Sequence, residues 1–114
     1  MRYMLMHYAD ESTEAGEPPS PEVLAELGAY MAEAARSGVL LAGEGVGPSS
    51  QGARVKVEEG KATVIDGPFA EAKEIIAGFA ILELKSKEEA VEHAKRFASI
   101  TGATQIDIRL VSDF

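Results

Sequence analysis

The alternation of apolar and polar residues predicts the strands of one sheet. Residues 2–8 alternate with a period of two, and both faces are mostly apolar, which is typical of a central strand covered on both sides. The same pattern predicts a short buried strand at residues 39–44, the longest strand at residues 75–84 and a final strand at residues 104–111. The chain therefore has the strands of a small central sheet.

Two segments have the three-to-four-residue apolar spacing of amphipathic helices. The first begins at Ser20, a good N-cap followed by proline at the first helical position, and ends at Gly38, which suits a C-cap. The second begins at Ser86, with Glu89 three residues later as in a capping box, and extends to about Ser99. In both helices, the apolar stripe is expected to pack on the sheet.

Two other segments lie between these elements. Residues 54–58 and 61–65 alternate around Glu59-Gly60, which predicts a β-hairpin. One face of this hairpin is charged, so we expect it to be partly exposed or used against a partner subunit. Residues 9–20 are rich in carboxylates and contain prolines, and we interpret them as a linker, with a mobile flap as the alternative.

The order strand, helix, strand, hairpin, strand, helix, strand predicts an α+β fold. Without the hairpin, it is the split βαβ repeat of a ferredoxin-like fold, an antiparallel sheet with two helices on one face. The other face would remain apolar, so we expect the same face of a second copy to cover it in an isologous homodimer. We expect Tyr3, His7 and Arg109 inside, or at the mouth of, the barrel between subunits. The residues assigned to the uncovered face are Leu5, Leu40, Ala77, Phe79 and Ile81.

Composition and charge narrow the class of protein. A chain of 114 residues is the size of one domain, spanning residues 1–114. Eleven basic and nineteen acidic side chains give a net charge of −8, which disfavours nucleic acid and anionic membrane surfaces as partners. No apolar run approaches the roughly 20 residues of a membrane span. Because there is no cysteine, disulfides, thiolate metal sites and cysteine nucleophiles are excluded, and we expect a cytoplasmic protein.

The stretch from Asp66 to Glu74 is the main candidate site. Asp-Gly-Pro is a turn signal, and three ionisable groups follow it before the buried strand. In the predicted topology, this stretch shares one edge of the sheet with His7, Tyr8, Asp10 and Glu44, so a pocket can form there. The alternative interpretation is a solvated charged loop.

We favour His7 and Asp66 as a catalytic pair, with the imidazole as general base and the carboxylate as its orienter. The alternative is a strand-end histidine with its hydrogen bonds satisfied and an aspartate that only forms the turn. No tight ligand spacing predicts a metal, and no cofactor is expected. His93 is interpreted as a solvated residue on the outer side of the second helix. The predicted substrate-binding residues are Tyr3, Glu44, Arg54, Phe69, Glu71, Lys73, Glu74 and Arg109.

The stretch from Asp66 to Glu74 also resembles the signature of the YCII-related family, in the branch named after its Asp-Gly-Pro-Phe motif. Residues 1–5, 38–45 and 52–55 are similar to the family's pattern in the same order. The resemblance implies a ferredoxin-like dimeric α+β barrel but no particular reaction. It also implies that a histidine early in the first helix acts with an aspartate in the wider family. Here that position reads Pro21-Glu22-Val23-Leu24, without a histidine.

Three functions remain open for such a chain. The first is a cofactor-free enzyme that transfers a proton on a small molecule in the dimer cleft. The second is a protein that binds a small molecule without converting it. The third, implied by the resemblance because relatives are often encoded beside alternative sigma factors, is a regulatory protein-interaction module.

Overall fold

The elements occur along the chain in the predicted order, with two short helical turns added. The computed structural model describes residues 1–70 and 74–113. In that part of the chain, the strands are β1 (Arg2–Tyr8), β2 (Leu40–Gly45), β3 (Ala53–Glu58), β4 (Lys61–Asp66), β5 (Ile76–Glu83) and β6 (Ile106–Leu110). The helices are α1 (Glu11–Glu14), α2 (Pro21–Arg36) and α3 (Lys87–Thr101), and a 3₁₀ turn spans Ser49–Gln51.

Four strands form an antiparallel sheet in the order β2-β5-β1-β6. The first and last strands of the chain are thus neighbours, and β5 lies between β1 and β2. This order, with two long helices, is compatible with a ferredoxin-like fold. None of the helices within residues 1–70 and 74–113 is long and apolar enough to cross a membrane.

The long helices begin where the sequence predicts. The Ser20 hydroxyl accepts the N–H of Val23 at 3.2 Å, and the Ser86 hydroxyl accepts the N–H of Glu89 at the same distance. The second half of the predicted capping box is different, because the Glu89 carboxylate accepts the N–H of Lys85 at 3.0 Å. Both starts are therefore fixed by local side-chain caps.

The main core lies between the sheet and the helices, and it corrects the predicted assignment of faces. Tyr3 and Leu5, which we expected in or beside the cleft between subunits, are 7% and 6% exposed within a single chain. Leu40 also packs on this core, whereas Ala77 is buried but does not belong to the cluster. Because both faces of β1 are apolar, alternation alone does not say which face the helices cover. The buried residues of this core cluster are Tyr3, Leu5, Leu82, Leu84, Ala90 and Ala94.

The opposite face of the sheet is covered by neither long helix. Met4 lies opposite Ile81 and Met6 lies opposite Phe79, and all four side chains are half-buried. We call the side of the sheet that carries these four residues the open face. Phe79 and Ile81 therefore do lie on the uncovered side, as predicted. This face is the apolar surface that the monomer leaves without a helical layer.

The predicted hairpin forms a separate two-stranded sheet of β3 and β4. Its two-residue turn has φ of 50° at Glu59 and 79° at Gly60, the left-handed conformations that a tight hairpin turn requires. Val55 lies opposite Val64, and these side chains are 61% and 65% exposed. The hairpin is therefore an arm with an exposed apolar face.

Candidate functional site

The sheet separates the predicted site residues onto its two faces. Residues directly opposite each other in an antiparallel pair lie on the same face. His7 is opposite Gly78 and shares the helix-covered face with Leu5, whereas Arg109 is opposite Met4 and lies on the open face. The expectation that His7 and Arg109 line one cleft is therefore wrong. Strand β1 carries one candidate surface on each side.

His7 packs inside the helix-covered layer. Its ring centroid is 5.2 Å from that of Phe97, and the absence of a side chain at Gly78 makes room for its Nε2 atom. Burial lowers the pKa of His7 from the usual 6.5, and the nearby charge of Asp10 partly opposes this shift. The imidazole is therefore neutral at pH 7 and able to accept a proton.

A small apolar cavity borders His7 between the sheet and the two long helices. Its volume is about 30 Å³. A space of this size holds about one or two water molecules, so an organic ligand would have to displace side chains to enter. Around His7, the lining includes Leu5, Tyr30, Met31, Leu82 and Phe97.

Asp66, the predicted partner of His7, lies on the separate hairpin and not on the four-stranded sheet. Asp66 ends β4 opposite Ala53, and its side chain is exposed. Within residues 1–70 and 74–113, no hydrogen bond joins Asp66 to His7, and the carboxylate that influences the imidazole is that of Asp10. The catalytic roles given to His7 and Asp66 remain predictions.

The Asp-Gly-Pro-Phe turn packs on the 3₁₀ turn at Ser49–Gln51. The N–H of Gly67 donates to the carbonyl of Gly52 at 3.0 Å, and the N–H of Phe69 donates to the Ser49 hydroxyl at 2.9 Å. A Cβ atom at Gly67 would overlap the backbone carbonyl of Ser49. Glycine is therefore required here by the close approach of two backbones.

The turn also brings two predicted binding residues together. The Arg54 guanidinium lies 4.3 Å from the centroid of the Phe69 ring, a cation–π contact. Glu44 is exposed opposite Phe79 on β2, and Glu74 is exposed just before β5. Tyr3 lies in the core, away from the predicted cleft. Glu71 and Lys73 fall outside the described residues.

Sequence reasoning missed the pair of Tyr8 and Asp107. The Tyr8 hydroxyl donates to Oδ2 of Asp107 at 2.6 Å, and Gln105 Nε2 donates to the other carboxylate oxygen at 3.3 Å. The hydrogen bond to Asp107 raises the pKa of Tyr8, and the charge of Arg109 partly opposes it. The available signal was the alternation of β1, which puts Tyr8 with Met4 and Met6 on the open face.

A second polar pair corrects the interpretation of His93 as a solvated residue. His93 is half-buried, and its Nδ1 atom is hydrogen-bonded to the Tyr30 hydroxyl at 2.6 Å. The Arg96 guanidinium lies 4.7 Å from the Tyr30 ring centroid. Burial raises the pKa of Tyr30, and Arg96 partly opposes this. These contacts join α2 to α3, and the prediction failed because it considered only the helix of His93 itself.

Metal binding finds no support in the described geometry. Within residues 1–70 and 74–113, no group of three His, Asp or Glu side chains is arranged to hold a metal ion. The close polar contacts instead join side chains to each other or to backbone groups. Two places therefore carry polar side chains that could bind or convert a ligand. One is the open face around Tyr8 and Asp107, and the other is the helix-covered side around His7.

Comparison with known proteins places this geometry in a family. The YCII-related domain matches the chain over residues 1–114. A protein of Rhizobium meliloti (strain 1021), named only as uncharacterised, is 31% identical over 106 residues, which cover 91% of this chain and 86% of the relative. The family match includes the sheet, the helices and the Asp-Gly-Pro-Phe turn. The chain belongs to the YCII-related domain family.

Proposed function

We propose that this protein binds a small organic molecule in a cleft formed between the open faces of two copies. The observation that carries this proposal is the Tyr8–Asp107 hydrogen bond beside an apolar sheet face. Ligand sites are commonly apolar surfaces with a few fixed polar groups, and this arrangement has that composition. The residues proposed to form the cleft are Met4, Met6, Tyr8, Glu44, Phe79, Ile81, Asp107 and Arg109.

The apolar open face supports the homodimer in this proposal. Four large side chains project from it, and neither long helix shields them. Burying apolar area against an identical face lowers the free energy of the assembly, and a two-fold axis makes the two surfaces self-complementary. A dimeric α+β barrel would place two copies of the Tyr8–Asp107 pair at the shared surface.

The charges near Tyr8 define the class of ligand. Asp107 can accept a hydrogen bond, and Arg109, whose charge acts on Tyr8, can donate to an anionic or carbonyl oxygen. A suitable ligand therefore carries both a donor and an acceptor on an otherwise apolar skeleton. Small hydroxy acids and keto acids with a hydrocarbon tail fit this description.

A thermal-shift screen of such acids tests the proposal. We expect some to stabilise the wild-type protein, and we expect Tyr8→Phe to weaken their binding about tenfold because one hydrogen-bonding group is lost. Tyr30→Phe is the matched control, since it also removes one tyrosine hydroxyl, but from α2 on the helix-covered side of the sheet. Equal loss of binding in both variants, or none in either, would contradict the proposed site.

The dimer is tested by light scattering on Ile81→Glu. A carboxylate at the centre of the open face would have to be buried without a partner, so we expect a monomer that no longer binds the acids. Leu24→Glu is the control, because Leu24 is 51% exposed on α2. A wild-type protein with the mass of a monomer would contradict a cleft between two copies.

A second candidate activity is cofactor-free proton transfer with His7 as general base. The specific observation is the half-buried, neutral imidazole beside a cavity. In this version the carboxylate that influences the base is Asp10, in place of the predicted Asp66. The reacting molecule would enter from the helix-covered side, since His7 does not face the proposed dimer cleft.

The pKa of His7 distinguishes the two carboxylates. Because Asp10 raises this pKa, Asp10→Asn should shift the NMR titration midpoint of His7 further below 6.5, and Asp66→Asn should leave it unchanged. With the folded-state pKa below its unfolded value, the stability contributed by neutral His7 is full above pH 6.5 and is lost as the pH falls through the folded value. A midpoint that follows Asp66→Asn would restore the predicted pair.

Two finer assignments accompany this proposal. We place the chain in the Asp-Gly-Pro-Phe branch of the family, on the strength of the gap-free stretch from Asp66 to Glu74. We also propose a cytoplasmic location, which the absence of cysteine from all 114 residues supports.

A further inference from the structure

A buried serine connects two segments that are far apart in sequence. Ser49 is 5% exposed, and its hydroxyl both donates to the Glu14 carboxylate and accepts the N–H of Phe69 at 2.9 Å. The N–H of Ser49 donates to the other oxygen of Glu14 at 2.8 Å. One carboxylate therefore binds both donor groups of Ser49, and Ser49 in turn binds the Asp-Gly-Pro-Phe turn.

Among the residues that the structure describes, few other contacts hold the segment that carries Glu14. Helix α1 contains no buried residue, although Asp10 and Thr13 form a capping box within it. After the helix, Gly16 lies close to Pro48, because a Cβ atom built at Gly16 would be 3.6 Å from the Pro48 side chain. Within the described part of the chain, the Glu14 carboxylate makes the polar side-chain contacts between α1 and the Ser49 turn.

The chemistry of this contact depends on the charge of Glu14. A carboxylate accepts both hydrogen bonds from Ser49, whereas a protonated carboxyl group has to give up one acceptor position. The same two hydrogen bonds lower the pKa of Glu14. Other ionisable groups lie on the packed segments. On the segment of Glu14 they are Asp10, Glu11 and Glu17, and around the turn they are Arg54, Asp66 and Glu74.

We propose that Glu14 is a positioning residue that fixes the Asp-Gly-Pro-Phe turn through the buried Ser49 hydroxyl. In this arrangement, residues 10–16 are a latch, closed while Glu14 is ionised and released when it is protonated. The latch sets the position of Phe69 and, through it, of Arg54. It does not depend on where a ligand binds, so the proposed function can fail without affecting it.

Backbone amide exchange measured by NMR tests the latch. We expect the Phe69 amide to exchange about tenfold or more faster in both Glu14→Gln and Ser49→Ala, because the first variant frees the Ser49 hydroxyl and the second removes it. The Ser49 amide should exchange faster in Glu14→Gln, where its charged acceptor is lost. The Leu82 amide in β5 should be unchanged, which shows that the core remains folded. Glu11→Gln, on the same short helix, should resemble the wild type.

A pH titration of amide chemical shifts separates a latch from simple packing. In the wild type, the Phe69 amide should titrate with the midpoint of Glu14, although the two groups are joined only through Ser49. The titration of Phe69 should vanish in Ser49→Ala and in Glu14→Gln and should persist in Glu11→Gln and Asp66→Asn. A Phe69 amide that ignores Glu14→Gln in both measurements would overturn the proposal.

Discussion

Gly67→Ala is expected to destabilise the protein by about 3 kcal/mol, at the upper end of the usual effect of overpacking a close contact. The added Cβ atom would occupy the space of the Ser49 carbonyl oxygen, and the atoms it meets are backbone that cannot rotate away. Either the Asp-Gly-Pro-Phe turn or the 3₁₀ turn must move. Urea denaturation of wild type and variant at one protein concentration measures the difference.

Gly45→Ala is the matched control for this prediction. No atom lies within 4 Å of a Cβ built at Gly45, and its backbone is ordinary strand. We expect this variant to have nearly wild-type stability, because no close contact opposes the added methyl group. Equal free energies of unfolding for the two variants would show that the turn is not packed on Ser49.

Leu5→Ala is expected to lower the free energy of unfolding by about 3 kcal/mol, because it opens a cavity in the core. Leu5 is 6% exposed and belongs to the cluster under α3. The oligomeric state should not change, since this side chain does not lie on the open face. Thermal or urea unfolding together with light scattering gives both readings.

Leu110→Ala is the control for Leu5→Ala. Leu110 is a leucine on a strand of the same sheet but is 60% exposed, so its truncation should have a small effect. If Leu5→Ala had an equally small effect on stability and instead dissociated a dimer, the original assignment of Leu5 to the face between subunits would be right. The comparison therefore tests which side of the sheet forms the monomer core.

The failed assignment of faces has a specific physical cause. Alternation in β1 divides Tyr3, Leu5 and His7 from Met4, Met6 and Tyr8, and the division itself was correct. Both groups are apolar enough for a core, so hydrophobicity does not rank them. The choice depends on where α2 and α3 pack, and that is a property of the whole chain. For this reason, His7 lies on the helix-covered face and Tyr8 lies on the open face.

Predictions from short stretches of sequence are correct where contacts between neighbouring residues determine the local structure. The caps at Ser20 and Ser86 and the turn at Glu59-Gly60 were read correctly, because each depends on contacts within a few residues. The polar segment before α2 contained such a signal that was not used. Asp10 followed by Thr13 is enough to cap a helical turn, and this turn carries Glu14.

Contacts across long sequence separations gave no such signal. Tyr8 meets Asp107 across 99 residues, Tyr30 meets His93 across 63, and Glu14 meets Ser49 across 35. Each pair joins polar groups whose sequence neighbours say nothing about the partner. Spacing along the chain does not reveal them, since the pairing depends on the topology of the sheet and the packing of the helices.

By itself, the sequence determined the order of strands and long helices, the hairpin turn and the Asp-Gly-Pro-Phe corner, because propensity, capping and alternation are encoded within short windows. The tertiary structure alone decided which face of β1 meets the helices, that Tyr8 pairs with Asp107, and that Ser49 lies buried beneath the corner. These outcomes depend on the joint packing of elements remote in sequence, where one choice of face changes the environment of every side chain in the strand.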